Sequence, residues 1–158
     1  MRRWPPILGS LLVLLATGCT TVGPATPVAG PTTGAPPDTD YSTVDSQYRG
    51  IQVGLNLPPG KTFPAHLPSS ASAYPSNAGT VMAQNYWFCS WLRAWLAGTS
   101  GAADELPKYT RMDAYTKGLD DHGRATVDGA LTAIHDKKRS SVTGFVNASC
   151  GGPFYSQA

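Results

Sequence analysis

The sequence predicts a mainly α fold: a small helical domain of three to four helices around a central aromatic helix, with a short extended N-terminal portion and one disulfide. Residues 80–97 carry apolar side chains at helical spacing around almost the whole helix, as expected for a helix surrounded by protein. Residues 102–119 and 120–138 repeat the helical period. Cys89 lies in the first of these segments and Cys150 follows the last of them, and they are the predicted disulfide pair.

The first nineteen residues have the composition of an export signal. Arg2 and Arg3 supply a positively charged start, and residues 7–16 form an uncharged stretch of ten residues, ILGSLLVLLA. That length is about half of the ~20 apolar residues that a membrane-spanning helix needs. Residues 1–18 are therefore predicted to be a signal peptide that is removed, rather than a permanent anchor.

The signal ends in the residues Leu15, Ala16, Thr17, Gly18 and Cys19, which resemble the lipobox of bacterial prolipoproteins. In that family, signal peptidase II cleaves before an invariant cysteine, which carries fatty acyl groups such as palmitate. Gly18 and Cys19 match the pattern, and Ala16 stands where leucine is usual. The resemblance implies a lipoprotein that is anchored through Cys19 to the extracytoplasmic face of the cell membrane. An ordinary secretory signal with a chance cysteine is the alternative.

The segment after Cys19 has the composition of a tether. Residues 20–40 hold five prolines among Thr, Gly, Ala and Val. Such a composition cannot bury enough apolar surface to offset the entropy cost of ordering, so residues 19–46 are predicted to be a disordered linker. It resembles the Thr/Pro-rich tethers of lipoproteins from high-GC Gram-positive bacteria. Residues 47–158 are predicted to form a single small globular domain.

The start of this domain is predicted to be extended. Residues 51–57 alternate apolar and polar side chains in the sequence IQVGLNL, which predicts a short, half-buried strand. The sequence PPG at residues 58–60 then ends it with a turn. Phe63 and Leu67 each precede a proline, which disfavours helix and continues the extended portion.

The central helix carries tryptophans at i, i+4 and i+8, namely Trp87, Trp91 and Trp95. Two interpretations of this stripe remain open. Such a stripe most often packs in a core, but indole rings also give a large, rigid contact area for a sugar ring or a peptide. The three residues are thus kept as a possible ligand surface beside the favoured core packing. Asn77 and Gly98 are the predicted ends of the helix.

The remaining helices follow from spacing and end signals. A second helix is predicted to begin near Ala102 or Pro107 and to run to about residue 119. A third is predicted from Asp120 to Lys138, because the acid at its start and the lysine at its end complement the helix dipole. Residues 141–148 fit a fourth short helix or a strand, which leads to Cys150.

Cysteine usage agrees with an exported domain. If Cys19 is acylated, Cys89 and Cys150 remain, and exported proteins tend to pair such cysteines. Closing a loop of about sixty residues stabilises a domain by roughly 4 kcal/mol in the chain-entropy model. Neither cysteine has a second cysteine or a histidine at zinc-ligand spacing. Two unpaired, buried thiols are the alternative.

The charge balance does not point to nucleic acid. Removal of Arg2 and Arg3 with the signal leaves ten basic residues against ten acidic ones. The basic cluster at residues 137–139 follows a predicted helix end, where cations complement the dipole, and no aromatic residues interleave with it. We therefore expect no nucleic-acid partner.

Candidate catalytic or metal-binding residues are few. His122 and His135 are 13 residues apart in one predicted helix, which separates them by about 20 Å along its axis and prevents them from sharing a metal ion. A glycosidase needs a pair of carboxylates, and the candidates in this chain are Asp104, Glu105 and Asp113. Acidic residues at helix starts are commonplace, however, because they complement the helix dipole. No serine-hydrolase, zinc-protease or phosphate-loop motif is present. No catalytic residue, metal or cofactor is predicted.

Two function classes follow. The first is a non-enzymatic cell-envelope lipoprotein whose domain binds an envelope protein or a cell-wall component, with the membrane as its second partner through the lipid. The second is a small hydrolase that acts on cell-wall material. A two-lobed solute-binding protein is disfavoured, because about 110 residues cannot supply two lobes that close on a ligand.

Overall fold

The computed structural model describes residues 39–69 and 74–158. The α-helices in these ranges are α1 Tyr41–Gln52, α2 Ala78–Leu96, α3 Ala102–Glu105, α4 Asp113–Thr116, α5 Asp121–His135 and α6 Arg139–Ser149. Within the same ranges, two 3₁₀ helices span Leu106–Arg111 and Tyr155–Gln157. The described ranges contain no strand, only an isolated antiparallel bridge between Thr39 and Tyr74. The predicted mainly α fold is confirmed. None of the described helices has the length and apolar character needed to cross a membrane.

Helix α1 begins earlier than the predicted start of the domain. Asp40 caps it by accepting a hydrogen bond from the backbone N–H of Thr43 at 2.8 Å. Val44 and Tyr48, one turn apart, are fully buried, and they pack with Ala83 of α2 in one apolar cluster. Residues 41–46, which the composition assigned to the tether, are therefore the first half of a packed helix.

The prediction of a strand over residues 51–57 is wrong. Ile51 and Gln52 complete α1, and residues 55–58 are irregular chain. Ile51 lies seven residues after Val44, so the two share one face of a helix. A pattern search that starts at residue 51 does not include Val44 and therefore misses this helical spacing. The extended portion that the sequence predicted is limited to the irregular chain after α1.

Helix α2 is the central helix, as predicted, and it contacts α1, α3, α4 and α6. Gly98 ends it with φ +83°, a backbone conformation that glycine adopts at no steric cost. The Gly98 N–H bonds to the Trp95 carbonyl, and the Thr99 N–H bonds to the Ala94 carbonyl, as in a Schellman cap. Asn77 occupies the N-cap position, but its side chain makes no capping hydrogen bond.

The predicted second helix is broken into α3, the 3₁₀ helix Leu106–Arg111 and α4. Pro107 lies in the first turn of the 3₁₀ helix, where its missing N–H is harmless. The buried side chain of Gln84 accepts a hydrogen bond from the Ala114 N–H at 2.7 Å. A tertiary contact thus supplies the partner that the first turn of α4 lacks.

Helices α5 and α6 bring the C-terminal part of the chain back onto α2. Helix α5 starts next to Asp120, near the predicted start, and Asp120 caps it by accepting from the Gly123 N–H at 2.7 Å. It ends at His135 rather than at residue 138. Residues 141–148 lie in α6, which decides between the two predicted alternatives in favour of helix. Val142 and Val146 are buried and belong to the same apolar cluster as α2.

Candidate functional site

A disulfide joins the middle of α2 to the end of α6. Cys89 and Cys150 are bonded, with an S–S distance of 2.00 Å and their α-carbons 5.7 Å apart. Both residues are buried, and the guanidinium of Arg93 donates a hydrogen bond to the Cys150 carbonyl at 2.8 Å. The predicted pairing is confirmed. The bond fixes one wall of the space between the two helices.

A cavity of about 280 Å³ lies against this disulfide. Four parts of the chain surround it: α2, the region from the 3₁₀ helix to the start of α5, α6, and the 3₁₀ helix Tyr155–Gln157. Its lining residues are Asn85, Phe88, Cys89, Tyr109, Leu119, Gly123, Thr126, Val127, Phe145, Ser149, Cys150 and Tyr155. None of these twelve residues carries a charged side chain at neutral pH, and most of the surface they offer is apolar.

The aromatic residues of this wall are held by ring contacts. Phe88 and Tyr109 stack with their ring centres 4.1 Å apart and their planes 12° from parallel. Phe145 meets Phe88 edge to face at 6.1 Å. Such pairs stabilise a fixed arrangement beyond their burial. The apolar wall of the cavity is therefore preformed.

A small polar cluster interrupts the apolar wall. The hydroxyl of Tyr109 donates to Oδ1 of Asn85 at 2.5 Å, and Tyr155 lines the same wall. Burial raises the pKa of both tyrosines above the usual value for a phenol. At neutral pH both hydroxyls are protonated and neutral, so the cluster offers hydrogen bonds without charge.

The tryptophan stripe divides between core and surface. Trp87 and Trp91 are buried, with 2% and 7% of their surface exposed. They pack in the core, as the favoured interpretation predicted, and form no ligand surface. Trp95 is half-buried and borders a second, open depression with Gly98, Gly101, Lys137 and Arg139. The guanidinium of Arg139 lies 5.7 Å from the centre of the Trp95 ring and donates to the Leu96 carbonyl. Arg139 therefore covers one face of the Trp95 ring.

The other candidate catalytic or metal-binding residues from the sequence do not line the cavity. His122 and His135 are exposed on α5, and the carboxylates of Glu105 and Asp113 pair with nearby lysines on the surface. Within residues 39–69 and 74–158, no group of three His, Cys, Asp or Glu side chains is placed to hold a metal ion. Cys19, with the signal and most of the predicted tether, lies outside the described residues.

Sequence reasoning missed the polar cluster. Asn85 is one helical turn before Cys89, so its place on the same face of α2 could have been read from the spacing. Tyr109 and Tyr155 are 24 and 70 residues from it, and no local pattern connects them. No protein-family model, curated protein or solved structure matches this chain.

Proposed function

We propose that this protein is a cell-envelope lipoprotein whose helical domain is a non-enzymatic binding module for a small, neutral, largely apolar component of the envelope. The cavity beside the Cys89–Cys150 disulfide carries this proposal. Its features are those of ligand sites in general: a concave, preformed and mostly apolar wall with a few polar groups that converge on it.

The volume of the cavity limits the ligand. A dry apolar cavity of about 150 Å³ is enough to bind benzene. The space here is about 280 Å³, which suits a molecule of roughly twice that size, such as a pair of fused rings. A ligand with a net charge is disfavoured, because no charged side chain lines the wall to compensate for its lost hydration.

Binding is tested with naphthalene, a neutral two-ring probe, on the full chain with Cys19→Ala, by ligand-detected NMR titration. Thr126→Trp places a large ring at the edge of the cavity and should abolish binding. Thr132→Trp is the matched control, since Thr126 and Thr132 are both exposed on α5 and both donate to the carbonyl four residues earlier. Absence of binding to the parent chain, or equal binding to both variants, would contradict the proposal.

The lipid anchor is a separate part of the proposal and rests on the lipobox resemblance at Cys19. Metabolic labelling with a fatty-acid analogue should label the natural chain and not Cys19→Ala, and the variant should leave the membrane fraction. The far-ultraviolet circular dichroism of the two proteins should agree, because the tether separates the anchor from the domain. A variant that still takes up label and stays with membranes would show that Cys19 is not the acylated residue.

A further inference from the structure

The hydroxyl groups of the residues that line the cavity are not equally free to bind a ligand. Tyr109 has one hydroxyl proton, and that proton is directed at Oδ1 of Asn85 over 2.5 Å. The hydroxyl of Thr126, which also lines the cavity, donates to the His122 carbonyl at 2.9 Å. Both of these hydroxyl protons are therefore engaged within the protein.

The hydroxyl of Tyr155 is not engaged in this way. Tyr155 lines the same wall and is half-buried. Among the described residues, no acceptor makes a hydrogen bond of normal geometry with its hydroxyl, whereas the hydroxyls of Tyr109 and Thr126 each have one. The hydroxyl proton of Tyr155 is therefore available to a molecule that enters the cavity.

A donor without an acceptor at the wall of a cavity is costly unless water or a ligand satisfies it. Tyr155 lines the cavity, and the stacked rings of Phe88 and Tyr109 lie in the same wall. An apolar ligand that fills this space displaces water from the hydroxyl. The ligand must then supply the acceptor itself, and the uncharged lining favours a neutral oxygen over a carboxylate.

We propose that the hydroxyl of Tyr155 is a specificity-determining donor, and that the ligand is a neutral, largely apolar molecule with a carbonyl oxygen that accepts this hydrogen bond. This inference rests on the proposed binding of a small ligand in the cavity. It adds to that proposal the chemical class of the ligand and the residue that recognises it.

The test compares two probes of nearly equal shape, 2-acetylnaphthalene and 2-isopropenylnaphthalene, which differ by C=O against C=CH2. We expect the oxidised full chain with Cys19→Ala to bind the ketone roughly five- to tenfold more tightly, the range of one net hydrogen bond. Tyr155→Phe should bind both probes equally and keep the affinity for the alkene. Tyr115→Phe is the matched control, because Tyr115 donates to Asp128 at the surface and does not line the cavity.

A second measurement does not depend on a variant. The infrared carbonyl stretch of 2-acetylnaphthalene should move to lower frequency on binding, relative to its value in an apolar solvent, because a hydrogen bond weakens the C=O bond. Binding of both probes without a preference or a shift would overturn the role of Tyr155 and leave the cavity as a binding site. A preference that survives in Tyr155→Phe would overturn it as well. Failure of both probes and of naphthalene to bind would overturn the proposed function itself.

Discussion

Trp87 and Trp91 donate their indole hydrogens to the same carbonyl oxygen, that of Asn56, at 2.8 and 2.9 Å. Their rings meet edge to face, with centres 6.4 Å apart. Asn56 lies in the irregular chain that follows α1, so the two indoles on α2 hold a segment without secondary structure against the helix. The apolar bodies of both rings are buried, and their polar edges donate to the same acceptor.

Replacement of Trp91 by alanine should lower the free energy of unfolding by about 3–5 kcal/mol, because a large buried ring is removed. Trp91→Phe should cost only roughly 1–2 kcal/mol, since most of the ring contact remains and Trp87 still bonds to Asn56. Urea denaturation monitored by circular dichroism measures both. A loss below about 1 kcal/mol for the alanine variant would mean that the ring is exposed in solution.

Reduction of the disulfide should lower the melting temperature substantially. The bond closes a loop over a sequence separation of 61 residues, which corresponds to roughly 4 kcal/mol in the chain-entropy model. Each 1 kcal/mol shifts the midpoint by about 4–8 °C in a domain of this size. Non-reduced peptide mass spectrometry should find Cys89 linked to Cys150 in protein taken from the envelope. Two free thiols there would contradict the pairing.

Asp45 should make the stability of the domain depend on pH. Burial acts to raise its pKa, but hydrogen bonds from His66 at 2.8 Å and the Leu67 N–H at 2.9 Å, with the charge of Arg49, hold the pKa below the usual 3.8. A lowered pKa in the folded state contributes stability above the unfolded value of about 3.9, and this contribution is lost as pH falls through the folded value.

Asp45→Asn keeps an acceptor for the Leu67 N–H but cannot ionise. The free energies of unfolding of the parent chain and this variant should therefore differ at pH 6 and converge as pH falls below about 4. Urea melts across this range measure the difference. A constant difference over the whole range would show that the charge of Asp45 contributes nothing.

Two helical glycines should respond to alanine in opposite directions. A Cβ on Gly79 would lie 2.1 Å from the Val44 carbonyl oxygen and 2.8 Å from the Tyr48 nitrogen, both backbone atoms of α1. Gly79→Ala should thus force α1 away from α2 and cost roughly 3 kcal/mol or more. At Gly129 on α5 a Cβ would meet nothing within 4 Å, so Gly129→Ala should stabilise by about 0.5–1 kcal/mol. Thermal melts with equal signs for both variants would contradict this.

Local patterns were enough to predict the central helix, the start of α5 near Asp120 and the pairing of Cys89 with Cys150. Each of these depends on residues close in sequence, or on the chemistry that a compartment imposes on two cysteines. The beginning of α1 was missed because the Pro-rich composition before it masked the short apolar face of Val44 and Tyr48. The division of the predicted second helix was missed because Gln84, 30 residues from Ala114, supplies the hydrogen bond at the start of α4.

The mainly α class, the pairing of Cys89 with Cys150 and the expectation of an exported, lipid-anchored chain follow from the sequence. The burial of Trp87 and Trp91, and the meeting of Asn85, Tyr109 and Tyr155 at one cavity, are visible in the structure alone. Burial and cavities depend on contacts between segments far apart in the chain. A helical period states which side chains share a face, but it does not state what that face packs against.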